Sequence, residues 1–345
     1  MNISKRKKEH LDICLNMDVE DKSYFDDIIL VYNALPGLDF KEIDVSTRFL
    51  GKKLSLPLII SPLTGGTKEA KKINKSLAEI AEKKKIGFAL GSQRAMIENH
   101  SLEDTYFVRD VAQSTLIFGN IGFANLDKIS VEQIKESLEK VGADALYIHL
   151  NPAQEIAQKE GDLNFKHSLE KLENLVKKLN YPIVIKEVGC GISREVGMRL
   201  KKIGIKIIDV AGKGGTNWIK VEKLRFDKID EKFLDFGIPT PCSLLELKDL
   251  DIDLISSGGI RSGLDIAKSI ALGAKVCGIA LPFLKIYKEG GKDGVERYIE
   301  RLERELKITM FLVGAKNLKE LSKVRYILKG FTKNWIEPGG ISKFS

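Results

Sequence analysis

Eight short apolar runs recur along this chain of 345 residues, and lysine-rich amphipathic stretches long enough for helices separate them. The runs are residues 58–60, 86–90, 116–118, 146–149, 183–186, 205–209, 254–256 and 276–280. Parallel strands need helical crossovers, and eight such repeats favour closure of the sheet. The sequence therefore predicts an α/β fold, a single (β/α)8 barrel domain over residues 1–345.

The segments outside the repeats predict additions to this barrel. Residues 1–50 predict an N-terminal cap and substrate arm, with 25–31 forming a helix or cap over one barrel end. Residues 294–345 predict a helical tail with a long helix over 295–312, a second helix near Leu318 and a Gly-rich terminus. A doubly wound sheet is the rival fold, but residues 61–67 after the first strand lack its GxGxxG turn.

Composition excludes several classes of protein. The net charge of +8 could serve a polyanion, yet the lysines alternate with acidic residues along helices and aromatics make up only 7% of the chain. We therefore expect no nucleic-acid partner. No apolar run is long enough for a membrane span or signal core, so the prediction is a cytoplasmic protein without a membrane partner. Four scattered cysteines suggest reduced thiols rather than disulfides or zinc.

Polar side chains collect where the predicted strands end. Strand four runs directly into His149, Asn151, Gln154 and Glu155, and Pro152 stops it. The other strand ends carry Thr64, Ser92, Gln93, Arg94, Asn120, Lys186, Thr216 and Arg261. Because catalysis in a (β/α)8 barrel gathers at the C-terminal ends of the strands, this pattern predicts an active site.

The loops after the last two strands predict a phosphate site. Gly258 and Gly259 precede a helix that begins near Leu264, and its bare N–H groups are expected to hold an anion. Gly278, Ile279 and Ala280 bring a second backbone segment to the same place. Arg261 is expected beside the phosphate, with a plain surface position as the alternative.

Lys186 interrupts an apolar strand and needs an anionic partner if it is buried. A cation there suits the negative charge near N1 of a reduced flavin. A Schiff-base lysine and a structural ion pair remain alternatives. The nearby phosphate site favours flavin mononucleotide.

Taken together, these segments resemble the type 2 isopentenyl diphosphate isomerases, which are FMN-dependent (β/α)8 enzymes. The resemblance rests on residues 6–10, 64–66, 91–94, 119–120, 149–155, 186–187, 214–218 and 257–263, which occur in the family's order. It implies interconversion of isopentenyl and dimethylallyl diphosphates by a 1,3-allylic proton shift, with reduced FMN as the acid and base and NADPH as the reductant. It also implies a homotetramer or homo-octamer, in which Arg6 and Lys7 could complete the site of a neighbouring subunit.

The resemblance also implies roles for individual residues. The flavin and its phosphate would contact Leu63, Thr64, Gly65, Ser92, Asn120, Lys186, Thr216, Gly258, Gly259, Arg261, Ile279 and Ala280. The substrate diphosphate would contact Arg6, Lys7, Ser92, Gln93, Arg94 and Gln154. Gln154, His149 and His10 would be catalytic, and Glu155 would hold Mg²⁺, which favours carboxylates, water and phosphate oxygens. His149 as a purely structural group and Glu155 as a helix cap remain alternatives, as does a Gln154 that only positions the substrate.

Three positions depart from the family pattern, namely Leu63 in place of Met, Lys213 in place of a small or neutral residue, and Phe236 in place of Trp. For each of the nearest rival functions, this chain lacks a required residue. A 2-hydroxy-acid oxidase needs a histidine after strand six, and this chain has none after His167. A purine-nucleotide dehydrogenase or reductase needs a cysteine in that same loop, which Gly214–Asn217 does not provide.

Overall fold

The computed structural model describes residues 3–337, with side chains from Lys5 onward. Its strands are β1 (Ile28–Leu30), β2 (Thr47–Phe49), β3 (Lys52–Leu54), β4 (Leu58–Ile60), β5 (Gly87–Ala89), β6 (Ile117–Gly122), β7 (Ala145–His149), β8 (Ile183–Lys186), β9 (Ile207–Asp209), β10 (Asp253–Ser257), β11 (Ala274–Ile279) and β12 (Tyr326–Leu328). Strands β4 to β11 form a closed parallel barrel in chain order, and β11 pairs with β4. The predicted (β/α)8 barrel is confirmed.

The helices form the outer layer and the additions at the two ends of the chain. They are α1 (Ile3–Asn16), α2 (Lys68–Lys84), α3 (Arg94–Glu98), α4 (Val131–Val141), α5 (Pro152–Ala157), α6 (Ser168–Lys178), α7 (Arg194–Lys202), α8 (Trp218–Phe226), α9 (Thr240–Leu247), α10 (Gly263–Ala271), α11 (Leu281–Val313), α12 (Leu318–Leu321) and α13 (Gly330–Ile336). The α4 helix shows why these stretches are helical. Ser130 and Gln133 form a capping box, Gly142 ends the helix in the left-handed conformation, and one face is buried.

The barrel interior is filled with apolar side chains toward its N-terminal end. One inward residue from each strand takes part: Ile59, Ala89, Phe118, Tyr147, Val184, Ile207, Ile255 and Val276. Phe49 and Leu54 of the β2–β3 hairpin belong to the same cluster and close this end. This packing leaves the C-terminal end of the barrel, where the polar residues lie, as the end suited to binding a ligand.

The additions at the two ends of the chain pair with each other. The prediction of a helix or cap over 25–31 is wrong in its conformation, because a short 3-10 turn at Phe25–Asp27 leads into β1, which pairs antiparallel with β12. Ile28 is buried and Ile29 exposed, which is the alternation of a strand. The predicted helix over 295–312 lies inside the longer α11, which bends at Gly291, and the predicted helix near Leu318 is α12.

The predicted Gly-rich terminus lies outside the described residues. In the described part of the chain, no helix combines the length and the apolar character that a membrane crossing requires.

Candidate active site

A cavity of about 320 Å³ opens at the C-terminal ends of the barrel strands. Most of the predicted site residues line it: Arg6, Lys7, His10, Leu63, Thr64, Ser92, Arg94, Asn120, His149, Gln154, Glu155, Lys186, Thr216, Gly258, Gly259, Arg261, Ile279 and Ala280. Helix α1 contributes the first three of these, so in this structure Arg6 and Lys7 reach the cavity of their own chain. The sequence pattern at the strand ends thus corresponds to one shared space.

Two predicted residues, Gln93 and Gly65, lie behind the cavity wall. Gln93 is fully buried; its Oε1 accepts a hydrogen bond from the backbone N–H of Asn120 at 2.9 Å, and its Nε2 donates to the backbone oxygen of Ser137 at 3.0 Å. A Cβ on Gly65 would lie 2.1 Å from the ring of Tyr106. Both residues support the wall, and neither is among those that line the cavity.

The phosphate end of the cavity differs from the sequence expectation in one respect. The Asp265 carboxylate accepts from the N–H groups of Arg261 and Ser262, just before α10, at 3.0 Å, and Glu305 accepts from that of Gly263, the first residue of the helix, at 2.7 Å. These three N–H groups are therefore not the free donors that the sequence predicted. What remains at the cavity is the turn before it, which begins at Gly258.

That turn requires glycine, because other backbone segments pack closely against it. Gly258 and Gly259 have φ of +94° and +85°, and a Cβ on Gly258 would lie 2.1 Å from the backbone oxygen of Gly212. A Cβ on Gly278 would lie 2.3 Å from Ser61 Oγ. The buried hydroxyls of Ser61 and Thr64 have no hydrogen-bond partner among the described residues, although both residues line the cavity. Buried polar groups without partners are costly, so these hydroxyls are suited to a polar ligand such as FMN.

Lys186 has the anionic partner that the sequence analysis required. Its Nζ lies 3.4 Å from Asp209 Oδ2 and 3.3 Å from Ser257 Oγ, and Ser257 Oγ donates to Asp209 Oδ1 at 2.6 Å. Asp209 is completely buried. The ion-pair alternative is thus present in the structure, and it coexists with a lysine that still faces the cavity. Asp209 and Ser61 escaped the sequence analysis because each looks like an ordinary residue at the end of a strand.

His149 is held as a neutral imidazole. Asn120 Nδ2 donates to the backbone oxygen of Leu90 at 3.2 Å, which leaves its Oδ1 to accept from His149 Nδ1–H at 2.8 Å. Burial, followed by the charges of Lys186 and Lys7, lowers the pKa of His149 to about 4. With the proton on Nδ1, Nε2 is left as an acceptor.

A buried carboxylate on α8, Glu222, joins several cavity residues. Its Oε1 contacts His10 Nε2 at 2.8 Å and accepts from Gln154 Nε2 at 3.1 Å, while Oε2 accepts from Arg225 Nη1 at 2.6 Å. Burial alone would raise the pKa of Glu222, but these hydrogen bonds outweigh burial and lower it. Gln158, with its amide oriented by its partners, donates to the same carboxylate at 3.1 Å and accepts from Arg6 at 3.1 Å. No spacing in the sequence singled out Glu222.

Glu155 presents an oriented carboxylate near this network. Its Oε1 accepts from Asn151 Nδ2 at 2.8 Å and its Oε2 from the N–H of Asp162 at 2.7 Å. No cluster of three or more His, Cys, Asp or Glu side chains suited to a metal occurs within residues 3–337. A magnesium ion at Glu155 would therefore take most of its ligands from substrate and water, which matches its preference.

Helix α1 brings two cations, Arg6 and Lys7, to the cavity. Lys7 Nζ donates to the backbone oxygen of Ser92 at 3.0 Å and contacts the hydroxyl of Tyr106, and it forms no ion pair with any described side chain. Burial and the neighbouring Arg6 lower the pKa of Lys7 to about 7. Burial, then the charge of Arg94, also lowers the pKa of Arg6. Cations that repel one another in this way favour a bound polyanion.

Comparisons with known proteins agree with the family resemblance seen in the sequence. A family model described as FMN-dependent dehydrogenase matches residues 16–151 and 120–327. The isopentenyl-diphosphate delta-isomerase of Methanocaldococcus jannaschii is 45% identical over 97% of both chains. The protein of the same name from Archaeoglobus fulgidus is 43% identical, over 98% of this chain and 99% of the relative.

Solved structures share the fold at much lower identity. A flavocytochrome b2 variant with sulfite bound superposes with a TM-score of 0.69 at 24% identity, covering 99% of this chain and 83% of the other. Mandelate oxidase with (S)-2-phenylpropionate gives a TM-score of 0.68 at 18% identity, covering 93% and 94%. At such identities the comparison establishes the barrel and nothing finer.

Proposed function

This chain belongs to the type 2 isopentenyl-diphosphate delta-isomerases, within the FMN-dependent dehydrogenase family, and from that premise we propose a mechanism for its reaction. It interconverts isopentenyl and dimethylallyl diphosphates in isoprenoid biosynthesis by a 1,3-allylic proton shift. The observation that carries the proposal is one cavity whose lining includes both the cations of helix α1 and the glycine turn after β10. Lys7 and its neighbouring arginines suit the substrate diphosphate, and the Gly258 turn suits the flavin phosphate.

The residues at the turn and along the barrel mouth fit FMN. Gly258, Gly259, Ile279 and Ala280 would hold its phosphate, the hydroxyls of Ser61 and Thr64 would gain partners, and Lys186 would face the negatively charged side of the ring. When bound and reduced, FMN would supply the acid and base for the allylic proton shift, and NADPH would be its reductant.

The protein orients the substrate and its proton-carrying groups. Arg6, Lys7 and Arg94 bind the diphosphate, where guanidinium groups can donate paired hydrogen bonds. Glu155 holds Mg²⁺ against the diphosphate. Glu222 fixes the amide of Gln154 and the ring of His10, so the allylic carbons meet groups with defined hydrogen-bonding directions.

Neutral His149 adds a further acceptor beside the flavin. Its Nδ1 proton is committed to Asn120, and its low pKa keeps the ring uncharged at neutral pH. The ring therefore does not oppose the positive charge of Lys186. We further propose a homotetrameric or homo-octameric, cytoplasmic enzyme.

Proton exchange followed by NMR tests the proposal. The protein is mixed with isopentenyl diphosphate, FMN, Mg²⁺ and NADPH, anaerobically in D₂O. Formation of deuterated dimethylallyl diphosphate that stops when FMN, NADPH or Mg²⁺ is omitted would support the proposal. Binding of FMN without exchange would reject the substrate assignment, and failure to bind FMN would reject the cofactor site.

The same protein is assayed for oxidation of lactate and mandelate as a control on the wider family. The loop after β9 carries Gly214, Gly215, Thr216 and Asn217, with no base to abstract a proton from a 2-hydroxy acid. We expect no oxidation.

A further inference from the structure

Glu20 joins two cations at the phosphate end of the cavity. One carboxylate oxygen contacts the guanidinium of Arg261, and the other lies 2.8 Å from the Nζ of Lys285 on α11. Glu20 and Arg261 both line the cavity, and the three side chains are 23%, 36% and 34% exposed. Each carboxylate oxygen thus takes one cation, which is the way a phosphate group would bridge the same pair.

The backbone fixes Glu20 in this place. Residue 20 forms an isolated bridge with Thr216, the N–H of Asp21 donates to the backbone oxygen of Gly215 at 2.8 Å, and the N–H of Asn217 donates to that of Val19 at 2.8 Å. Because the segment is hydrogen-bonded on both sides of Glu20, a ligand that competes for Arg261 can displace the side chain of Glu20 but not its backbone.

The Gly258 turn and Arg261 lie on the same loop, so a phosphate held by this turn comes close to the Glu20 carboxylate. A phosphate monoester carries nearly two negative charges at neutral pH. It must either share the cations with Glu20 or displace the carboxylate from them. Both outcomes cost binding free energy, because like charges a few ångströms apart repel and the released carboxylate has no other described cation as a partner.

We propose that Glu20 is an internal competitor of the flavin phosphate: it holds Arg261 and Lys285 together in the free protein, and FMN must take these cations from it. The inference rests on the proposed FMN site and adds a residue that sets the affinity for the phosphate. It explains why Arg261 contacts a carboxylate although its loop is shaped for an anion. It also assigns Lys285 as a second cation of that site.

The test compares FMN with riboflavin, which has the same ring and no phosphate. Dissociation constants are measured by flavin fluorescence for the full-length protein and for Glu20→Gln, which keeps the shape and removes the charge. We expect Glu20→Gln to bind FMN about tenfold more tightly, with riboflavin affinity unchanged. In Lys285→Gln, FMN affinity falls while riboflavin affinity again stays constant.

Asp18→Asn is the matched control, since Asp18 is two residues away and its carboxylate contacts Lys220 instead. It removes the same charge and should leave both affinities as they are. Glu20→Ala provides a second variant if Glu20→Gln is poorly folded, and circular dichroism checks both.

Weaker or unchanged FMN binding in both Glu20 variants would overturn the inference, since it would mean that the carboxylate positions the cations for the phosphate or has no effect. An equal change for riboflavin would also overturn it. A wild-type protein that binds no FMN would instead reject the proposed cofactor site, and this inference with it.

Discussion

Lys7 gives the most direct link between burial and function. Its ammonium group is partly buried beside Ser92 and Tyr106, and its pKa is lowered to about 7. At pH 8 only about a tenth of this side chain is protonated in the free protein. A bound diphosphate restores the charge, so binding of isopentenyl diphosphate at pH 8 should take up about 0.9 of a proton at Lys7.

Isothermal titration in two buffers of different ionisation enthalpy measures this uptake. The oxidised FMN-loaded protein is used with Mg²⁺, so that binding is seen without turnover. A phosphate ester is fully ionised at pH 8, since its last pKa lies near 6, and the protons must therefore go to the protein. Lys7→Met should abolish the uptake at Lys7 and weaken binding roughly tenfold to a hundredfold through loss of charge-assisted hydrogen bonds.

The same substitution should stabilise the free protein. Because the folded pKa of Lys7 lies below its unfolded value, the folded state binds fewer protons than the unfolded state between about pH 7 and 10. Lys7 therefore lowers the free energy of unfolding fully below about pH 7, and this effect vanishes as the pH rises toward 10. The destabilisation by Lys7 at pH 7 is roughly 2 to 4 kcal/mol. This is less than the full pKa shift would give, because water reaches part of the side chain. Urea denaturation of the free protein at pH 7 and pH 10 measures this difference.

Lys8→Met is the control, because Lys8 is exposed on the same helix. It should change neither proton uptake nor stability. Equal proton uptake by wild type and Lys7→Met at pH 8, or a loss of stability in Lys7→Met at pH 7, would refute the reasoning.

Three further substitutions test other parts of the site. His149, whose folded pKa of about 4 lies below its unfolded value, should cost up to ~3 kcal/mol of stability as pH falls from about 6.5 to 4, and denaturation of His149→Gln should lack this loss. Gln93→Leu should lower the free energy of unfolding by about 1 to 3 kcal/mol, because the N–H of Asn120 loses its partner. KM for isopentenyl diphosphate should stay within about twofold of the wild-type value. A large rise in KM with unchanged stability would show substrate contact instead. Gly258→Ala should lose FMN binding, measured by fluorescence, because its Cβ would meet the backbone oxygen of Gly212. Retention of wild-type affinity would show that the turn does not approach the cofactor.

The strands and the polar residues at their ends could be predicted because each depends on local sequence. An apolar run such as Ile183–Lys186 is buried on both faces, so it reads as a parallel strand without any knowledge of its neighbours. The barrel then brings the strand ends together by symmetry, which is why scattered positions such as Thr64 and Thr216 line one cavity.

What escaped prediction depends on contacts between distant segments. Strand β1 needs β12 as its partner, almost 300 residues away, and the three-residue run Ile28–Leu30 carries no sign of it. Glu222 looks like an exposed helical glutamate until Arg225, His10 and Gln154 converge on it. The α10 terminus looked free because Glu305, one of its cappers, comes from α11.

The departures from the family pattern show the same dependence on distant residues. Lys213, where the resemblance leads us to expect a small or neutral residue, is almost completely buried, which would be costly for an isolated charge. Its ammonium pairs with Asp235, donates to the backbone oxygen of that residue at 3.0 Å, and lies 5.8 Å from the ring of Tyr24. Asp235 lies between α8 and α9, so the lysine and its partner are more than twenty residues apart in sequence.

The N-terminal segment 18–24 contributes acidic residues beside Lys213 and two further cations. Arg261, Lys285 and Lys213 all lie near the N-terminal segment 18–24, and two acids of this segment, Glu20 and Asp21, face them. Asp21 accepts from Asn217 Nδ2 at 3.1 Å, and burial raises its pKa. Segment 18–24 thus places carboxylates beside Arg261 on the Gly258 loop and beside Lys213. The N-terminal part of the chain that brings Arg6 and Lys7 to the cavity therefore also brings the acids that face these cations.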